Sequence, residues 1–189
     1  MNLRLSWDLF IIVFFSIVTA YSLIIGRNGT LKVIIATYIS ILCSDGLGNL
    51  FALSMAKSAF FQKLISFFGI GGGINQTVAI TKIGLFIALI VALTIHGVYT
   101  VELEEHGKLV SWSLMIFLAV LSGGLIVSTI IVFANGGSLI NGAGGISQDF
   151  MAVYDESRLI KIMLDWHDLW FSLPGLALIV LSLIQSRSK

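Results

Sequence analysis

Residues 112–134 form a run of twenty-three amino acids without a single charged side chain. A helix needs about 20 apolar residues to cross a bilayer, because each residue rises about 1.5 Å through roughly 30 Å of hydrocarbon. Hydrophobic residues make up 57% of the chain and charged residues 11%, whereas soluble domains carry about 25% charged residues. The sequence therefore predicts an all-α integral membrane protein.

Four further apolar runs accompany the uncharged one. Together they predict a single membrane domain over residues 1–189, built as a compact bundle of four to five transmembrane helices. The predicted spans are residues 9–25, 31–53, 77–99, 112–134 and 169–184. The last run has only sixteen residues and contains Pro174, so a re-entrant or interfacial helix is the alternative to a full span.

The connections complete this topology. Residues 27–30 are expected to form a short turn, which makes the first two helices antiparallel neighbours. Residues 54–68 separate a polar face of Ser and Gln side chains from an apolar face of Phe and Leu. Residues 148–165 are also partly amphipathic, and we expect both segments to form helices in the membrane interface.

Positive charges give only a slight preference for one orientation. If all five runs cross the membrane, the two sides carry five Lys and Arg residues each. One side holds Arg4, Lys57, Lys63, Arg158 and Lys161, and the other holds Arg27, Lys32, Lys108, Arg187 and Lys189. Lys82 lies nearer to the first side, which favours a cytoplasmic N-terminus under the positive-inside rule.

Asp45 is the residue that a bilayer tolerates least. A carboxylate at membrane depth costs at least ~2.5 kcal/mol unless it finds a partner or water. Counted from the ends of the predicted helices, Asp45 lies about 12 Å and Lys82 roughly 8 Å below the same interface. We therefore predict an ion pair between them or a polar cavity around Asp45. In the alternative, Lys82 snorkels to the headgroups and Asp45 marks a local break in the helix.

Small residues recur at every fourth position in two of the runs. Such side chains allow helix backbones to approach closely, and close packing must hold helices together where lipid supplies no hydrophobic contrast. We interpret the pattern as a packing seam, and a seam that lines a pore or slides during gating is the alternative. The seam comprises Ala36, Ser40, Ser44, Gly48 and Ala52 in the second run and Gly84, Ala88 and Ala92 in the third.

Other polar residues give no pattern typical of catalysis or metal binding. Glu102 and His106 are spaced as i and i+4, but a metal site needs several ligands in a fixed geometry, so a solvated acidic turn is the simpler interpretation. His167 and Asp168 resemble half of a catalytic pair, yet adjacent residues on a helix are not expected to face each other. The net charge of +1 gives no electrostatic reason to bind nucleic acid. We expect no enzyme activity, cofactor or metal.

Three short motifs open the chain: Trp7-Asp8-Leu9, Gly26-Arg27-Asn28-Gly29 and Leu31-Lys32-Val33. In this order they resemble the start of the CvpA (colicin V production protein) family of small bacterial inner-membrane proteins. The resemblance covers roughly the first fifty residues and does not extend beyond Thr77. It implies a compact multi-span protein with an envelope or export-related role, and it implies no catalytic residues.

Three functions remain open for a protein of this kind. The first is a non-enzymatic module that works through contacts in the bilayer with membrane-protein partners or a second copy of itself. The second is a small-solute or ion transporter or channel in which Asp45 lines a polar path. An intramembrane enzyme ranks third, because no nucleophile–base or metal set is visible. In all three, residues 112–134 are expected to be a plain wall of the bundle.

Overall fold

The protein is described by a computed structural model over residues 7–55, 74–97, 108–137 and 147–187. Its elements there are the helices α1 (Trp7–Met55), α2 (Ile74–His96), α3 (Lys108–Ala134), α4 (Gln148–Glu156), α5 (Arg158–Asp165) and α6 (His167–Arg187). Four stretches in the described ranges are long and apolar enough to cross a membrane: Trp7–Phe51, Gln76–His96, Ser111–Ala134 and His167–Ile184. Within these ranges the prediction of an all-helical protein with several such helices is confirmed.

Helix α1 contains the first two predicted spans and bends between them at Gly26. Gly26 has φ 76° and ψ −178°, a conformation that is essentially restricted to glycine. The hydroxyl of Thr30 donates hydrogen bonds to the carbonyls of Ser22 at 2.7 Å and Gly26 at 2.9 Å. In a straight helix residues 22 and 30 would lie about 12 Å apart, so the bend brings the two halves of α1 together.

The first half of α1 runs antiparallel to α3. The hydroxyl oxygens of Ser22 and Ser122 lie 3.0 Å apart. Towards the start of α1, Ile11 belongs to the same buried apolar cluster as Val127 and Ile131, which lie near the end of α3. The N-terminus of α1 and the C-terminus of α3 therefore lie at the same end of the bundle.

The second half of α1 returns to this same end. Asp45 contacts Lys82 of α2, and the Lys82 ammonium lies over the ring of Phe133, close to the C-terminus of α3. In a straight helix Ile11 and Asp45 would be about 51 Å apart. The chain therefore reverses within α1, as predicted for the first two spans.

The predicted position of the turn is wrong. Residues 27–30 are helical, and the reversal occurs at Gly26, where one glycine supplies backbone angles that a longer turn would otherwise provide. The bend leaves residues 7–25 on one side and 27–55 on the other, and each stretch is long enough for the roughly 20 residues that a bilayer crossing requires.

Helix α3 is the central helix of the bundle, not the plain wall that its uncharged sequence predicts. Between residues 118 and 133 all side chains except Val120 and Ile130 are buried. Helices α1, α2, α5 and α6 all pack against it. Close approach is possible because Gly123 faces Phe15 and Thr19 while Gly124 faces Trp170. An absence of charge is compatible with contact with lipid and with burial in protein, and here burial dominates.

The predicted amphipathic helix over residues 148–165 is two helices, α4 and α5, separated at Ser157. Ser157 has an extended backbone (φ −111°, ψ 120°), and its hydroxyl accepts a hydrogen bond from the amide of Ile160. Asp8 in turn accepts hydrogen bonds from the Ser157 hydroxyl and, at 3.1 Å, from the Leu159 amide. These acceptors satisfy amides that the first turn of a helix leaves without partners, so a new helix begins here.

The apolar side of α5 faces the protein. Ile160, Met163 and Leu164 are buried in the cluster formed with α1 and α3. The segment over residues 54–68 lies outside the described residues, apart from its first two positions in α1. The last predicted span is one continuous helix through Pro174.

Candidate functional site

Asp45 and Lys82 form an ion pair inside the bundle. The Nζ atom of Lys82 lies 2.6 Å from Oδ1 of Asp45, and their side chains are 5% and 0% exposed. At this distance the contact is a charge-assisted hydrogen bond, which is shorter and stronger than a neutral one. The contact that the helix lengths predict is therefore present, and neither side chain reaches solvent or the outer surface of the bundle.

The helix that carries Asp45 is intact. Helix α1 continues without a break from Arg27 through Asp45 to Met55, so the alternative of a helix break at Asp45 is wrong. The alternative of a snorkelling Lys82 is also wrong, because its ammonium is buried against Asp45. Because α1 continues past Asp45, its second half has the length that a bilayer crossing requires.

Aromatic rings form the apolar side of the pair. The Lys82 ammonium lies 5.8 Å from the centroid of the Phe133 ring, a distance suited to a cation–π interaction. Phe86 packs edge-on against Phe133 at 5.9 Å, and both rings are fully buried. The attraction between the two charges is stronger in these surroundings than in water, because little polar material screens it.

Buried hydroxyl groups extend along α1 from the pair. Thr37, Ser40 and Ser44 are 0% exposed. The Thr37 and Ser44 hydroxyls donate to carbonyls of their own helix. The Ser40 hydroxyl has no hydrogen-bond partner among the described residues. Buried polar groups on α1 are thus not confined to Asp45.

The small-residue seam is only half present. Ala36, Ser40, Ser44 and Gly48 are buried, whereas the side chain of Ala52 lies outside the described part of the chain. On α2 the three predicted members, Gly84, Ala88 and Ala92, are exposed, and a Cβ added at Gly84 would meet no atom within 4 Å.

The α2 half of the seam is therefore wrong as a packing surface within one chain. Lys82 and Phe86 occupy the buried side of α2. Gly84 lies two residues from each, about 200° around the helix, and so faces outward.

The remaining polar candidates do not assemble a reactive site. His167 does contact its neighbour, contrary to expectation, with 3.1 Å between Nε2 and Oδ1 of Asp168. Its Nδ1 atom lies 2.7 Å from the Leu164 carbonyl, and Asp168 is 94% exposed. Glu102 and His106 lie outside the described residues. Within the described ranges no three His, Cys, Asp or Glu side chains could hold a metal ion.

Sequence reasoning missed two features of the site. It assigned Phe133 to a plain wall of the bundle, and it assigned Gly48 to helix packing although this glycine faces the stem of Lys82. It also missed the contact between Asp8 and Ser157, which are 149 residues apart. The signal for the cap at Ser157 was present, because a Ser followed by an apolar helix turn is typical of an N-cap.

The chain matches no protein-family model, no curated protein and no solved structure.

Proposed function

We propose that this chain is a small integral membrane transporter or channel for ions or small solutes, with Asp45 and Lys82 as its ion-exchange site. The observation that supports this proposal is the buried contact of 2.6 Å between the two charges. Ionisable residues inside membrane segments are expensive, and they commonly mark ion or substrate pathways.

Stability alone is a weak reason for such a pair. Removing two charges from water costs several kcal/mol per ion, so well-packed apolar residues of similar volume are often as stable or more stable. Apolar side chains could replace such a pair without loss of stability. The presence of the two charges is therefore better explained by a function that needs a charge. The buried hydroxyls of Thr37, Ser40 and Ser44 lie on the same helix as Asp45.

In the proposed mechanism the Lys82 ammonium is a built-in counterion. A proton or cation that binds Asp45 replaces the positive charge of Lys82, which releases the ammonium. Departure of the ion restores the pair. Two arrangements of one buried contact would thus alternate with ion occupancy, and the ion only has to bind one arrangement better than the other to shift their populations.

Ion flux into liposomes tests this proposal. Purified protein is reconstituted with pH-sensitive or sodium-sensitive dye inside the vesicles, and a potassium gradient with valinomycin sets the voltage. We expect flux above that of protein-free vesicles for the unmodified chain and its loss in Asp45→Asn. Asp168→Asn is the matched control, because this carboxylate is 94% exposed and away from the pair.

Two results would contradict the proposal. One is the same flux with and without the unmodified protein. The other is undiminished flux in an Asp45→Asn variant that retains the helix content and monodispersity of the unmodified chain.

The outward face of α2 supports a second candidate function. Gly84, Ala88 and Ala92 present small side chains on this face, and such surfaces allow helices to approach closely in lipid. This feature fits a non-enzymatic module that acts through membrane-protein contacts in the envelope. The CvpA-like motifs at the start of the chain support the same function. Disulfide cross-linking of Ala88→Cys in a Cys43→Ser background, compared with the equally outward Ile179→Cys, tests it.

We also propose a location in the bacterial inner membrane with a cytoplasmic N-terminus. The slight charge preference and the CvpA-like opening of the chain support this orientation. A membrane-impermeant thiol reagent should fail to label a cysteine introduced at Asn2 in intact cells and label it after the membrane is opened.

A further inference from the structure

Gly48 lies directly under the side chain of Lys82. A Cβ atom built on Gly48 would lie 2.4 Å from Cγ, 2.9 Å from Cε and 3.2 Å from Cδ of Lys82. Real Cβ atoms do not approach carbon atoms to 2.4 Å, so no larger residue fits at position 48 while Lys82 keeps this position.

The space at Gly48 accommodates a side chain and not a neighbouring backbone. The three atoms nearest to the added Cβ all belong to the Lys82 stem. In a small-residue seam of the usual kind, the missing side chain would instead admit the backbone of the opposite helix. Gly48 therefore has a different role from the one its sequence spacing predicts.

The direction of the Lys82 side chain explains why this space matters. The stem crosses α1 at Gly48, while the ammonium contacts Asp45. Asp45 lies three residues, or about 4.5 Å, further from the C-terminal end of α1. Lys82 thus extends into the bundle, opposite to the direction in which a snorkelling lysine reaches the headgroups.

We propose that Gly48 is the positioning residue that holds Lys82 on Asp45. This inference builds on the proposed function, because it identifies the residue that returns the ammonium to the carboxylate in each cycle. A methyl group at position 48 pushes the stem off α1 and leaves the helix itself intact, since alanine favours a helix over glycine.

Lysine labelling tests this role without any transport measurement. The protein in detergent is treated with an amine-reactive reagent, and modification of Lys82 is followed by mass spectrometry. We expect Gly48→Ala to raise the rate of Lys82 modification about tenfold or more, because the displaced ammonium spends more time outside the bundle. Gly46→Ala is the matched control, because a Cβ on Gly46 meets nothing within 4 Å.

A second background distinguishes positioning from ordinary packing. In an Asp45→Asn/Lys82→Ala protein the stem is absent, so Gly48→Ala should leave the midpoint of unfolding unchanged or raise it slightly, whereas the same substitution in the unmodified chain should lower it. This comparison also covers the case in which Gly48→Ala alone does not fold.

The inference is overturned if Gly48→Ala leaves Lys82 labelling at the unmodified rate, or if it lowers the unfolding midpoint equally in both backgrounds. Failure of the proposed function has a different signature. It shows as absent flux in liposomes, whereas the labelling and unfolding results would still establish what Gly48 does.

Discussion

The hydroxyl of Tyr38 donates a hydrogen bond to the backbone carbonyl of Phe171, three residues before Pro174 in α6. Proline lacks an amide hydrogen and its ring displaces the preceding turn, so it interrupts the hydrogen-bond ladder of a helix. The same hydroxyl lies against Gly175, where an added Cβ would be 3.2 Å from it. Tyr38 therefore ties α1 to α6 at the interruption.

Replacing Tyr38 with Phe should weaken this tie. The rings of Tyr38 and Phe171 pack edge-on at 5.2 Å, a contact that Phe keeps, so the substitution removes the hydrogen bond alone. We expect the free energy of unfolding in detergent to fall by about 1 kcal/mol. Tyr21→Phe, at an exposed position of the same helix, should leave it unchanged. Equal stability of all three proteins would show that the bond contributes nothing.

Replacing Gly124 with Ala should disturb the central helix. A Cβ at this position would lie 2.1 Å from Cε3 of Trp170, and overpacking of this kind typically costs about 1–3 kcal/mol. Chemical denaturation followed by tryptophan fluorescence measures the loss. The control Gly84→Ala adds its methyl group to open space on α2 and should be neutral or slightly stabilising. A neutral Gly124→Ala would contradict the close packing of α3 and α6.

Single and double substitutions of the ion pair should differ in their effect on the free energy of unfolding. Lys82→Met leaves the buried Asp45 without its counterion, and we expect a loss of about 3–5 kcal/mol. Asp45→Asn combined with Lys82→Met removes both charges and should recover most of this loss. Unfolding measurements on the unmodified chain, on Asp45→Asn and Lys82→Met alone, and on the double variant give the coupling energy of the pair directly. A double variant that is stable but inactive would separate the chemical role of the pair from its structural role.

Tyr154 and Asp165 give a pH-dependent contact outside the candidate spans. The Tyr154 hydroxyl donates a hydrogen bond to Asp165 at 3.0 Å. This bond to a carboxylate raises the pKa of Tyr154 above its usual value, with smaller contributions from burial and from the charges of Asp165 and Asp155. Because the folded pKa is the higher one, the stabilisation is complete below the unfolded pKa of about 10 and is lost as the pH rises through the folded value.

The titration of Tyr154 can be isolated by its ultraviolet absorbance. The difference between the unmodified chain and Tyr154→Phe gives the curve for this residue alone, and Asp165→Asn should shift that curve to lower pH. An unchanged curve in Asp165→Asn would rule out the hydrogen bond as the main cause.

Simple counting along the chain predicts the helices and the ion pair. A bilayer limits the length of each helix, and two polar residues at a similar depth on neighbouring helices have few partners other than each other. For this reason Asp45 and Lys82 could be paired from their distances to the helix ends. The helical identity of residues 112–134 followed from the same reasoning.

The position of each helix in the bundle could not be predicted in the same way. Lipid and protein interiors are equally apolar, so hydropathy does not distinguish a central helix from a peripheral one. The relevant signal in α3 was the pair Gly123 and Gly124, which permit close neighbours. The changes of chain direction at Gly26 and Ser157 could not be predicted for a different reason. Each arises from the backbone or from a helix cap, and neither alters the hydropathy pattern.

The separation of Asp45 and Lys82 along the chain has a consequence for synthesis. Lys82 follows Asp45 by 37 positions, so a ribosome working at about 5–20 residues per second adds the lysine about 2–7 seconds after the carboxylate. We expect the second half of α1 to lack this counterion during the interval. Its stable integration into lipid should therefore depend on the arrival of α2, so that the two helices insert into the membrane as a single unit.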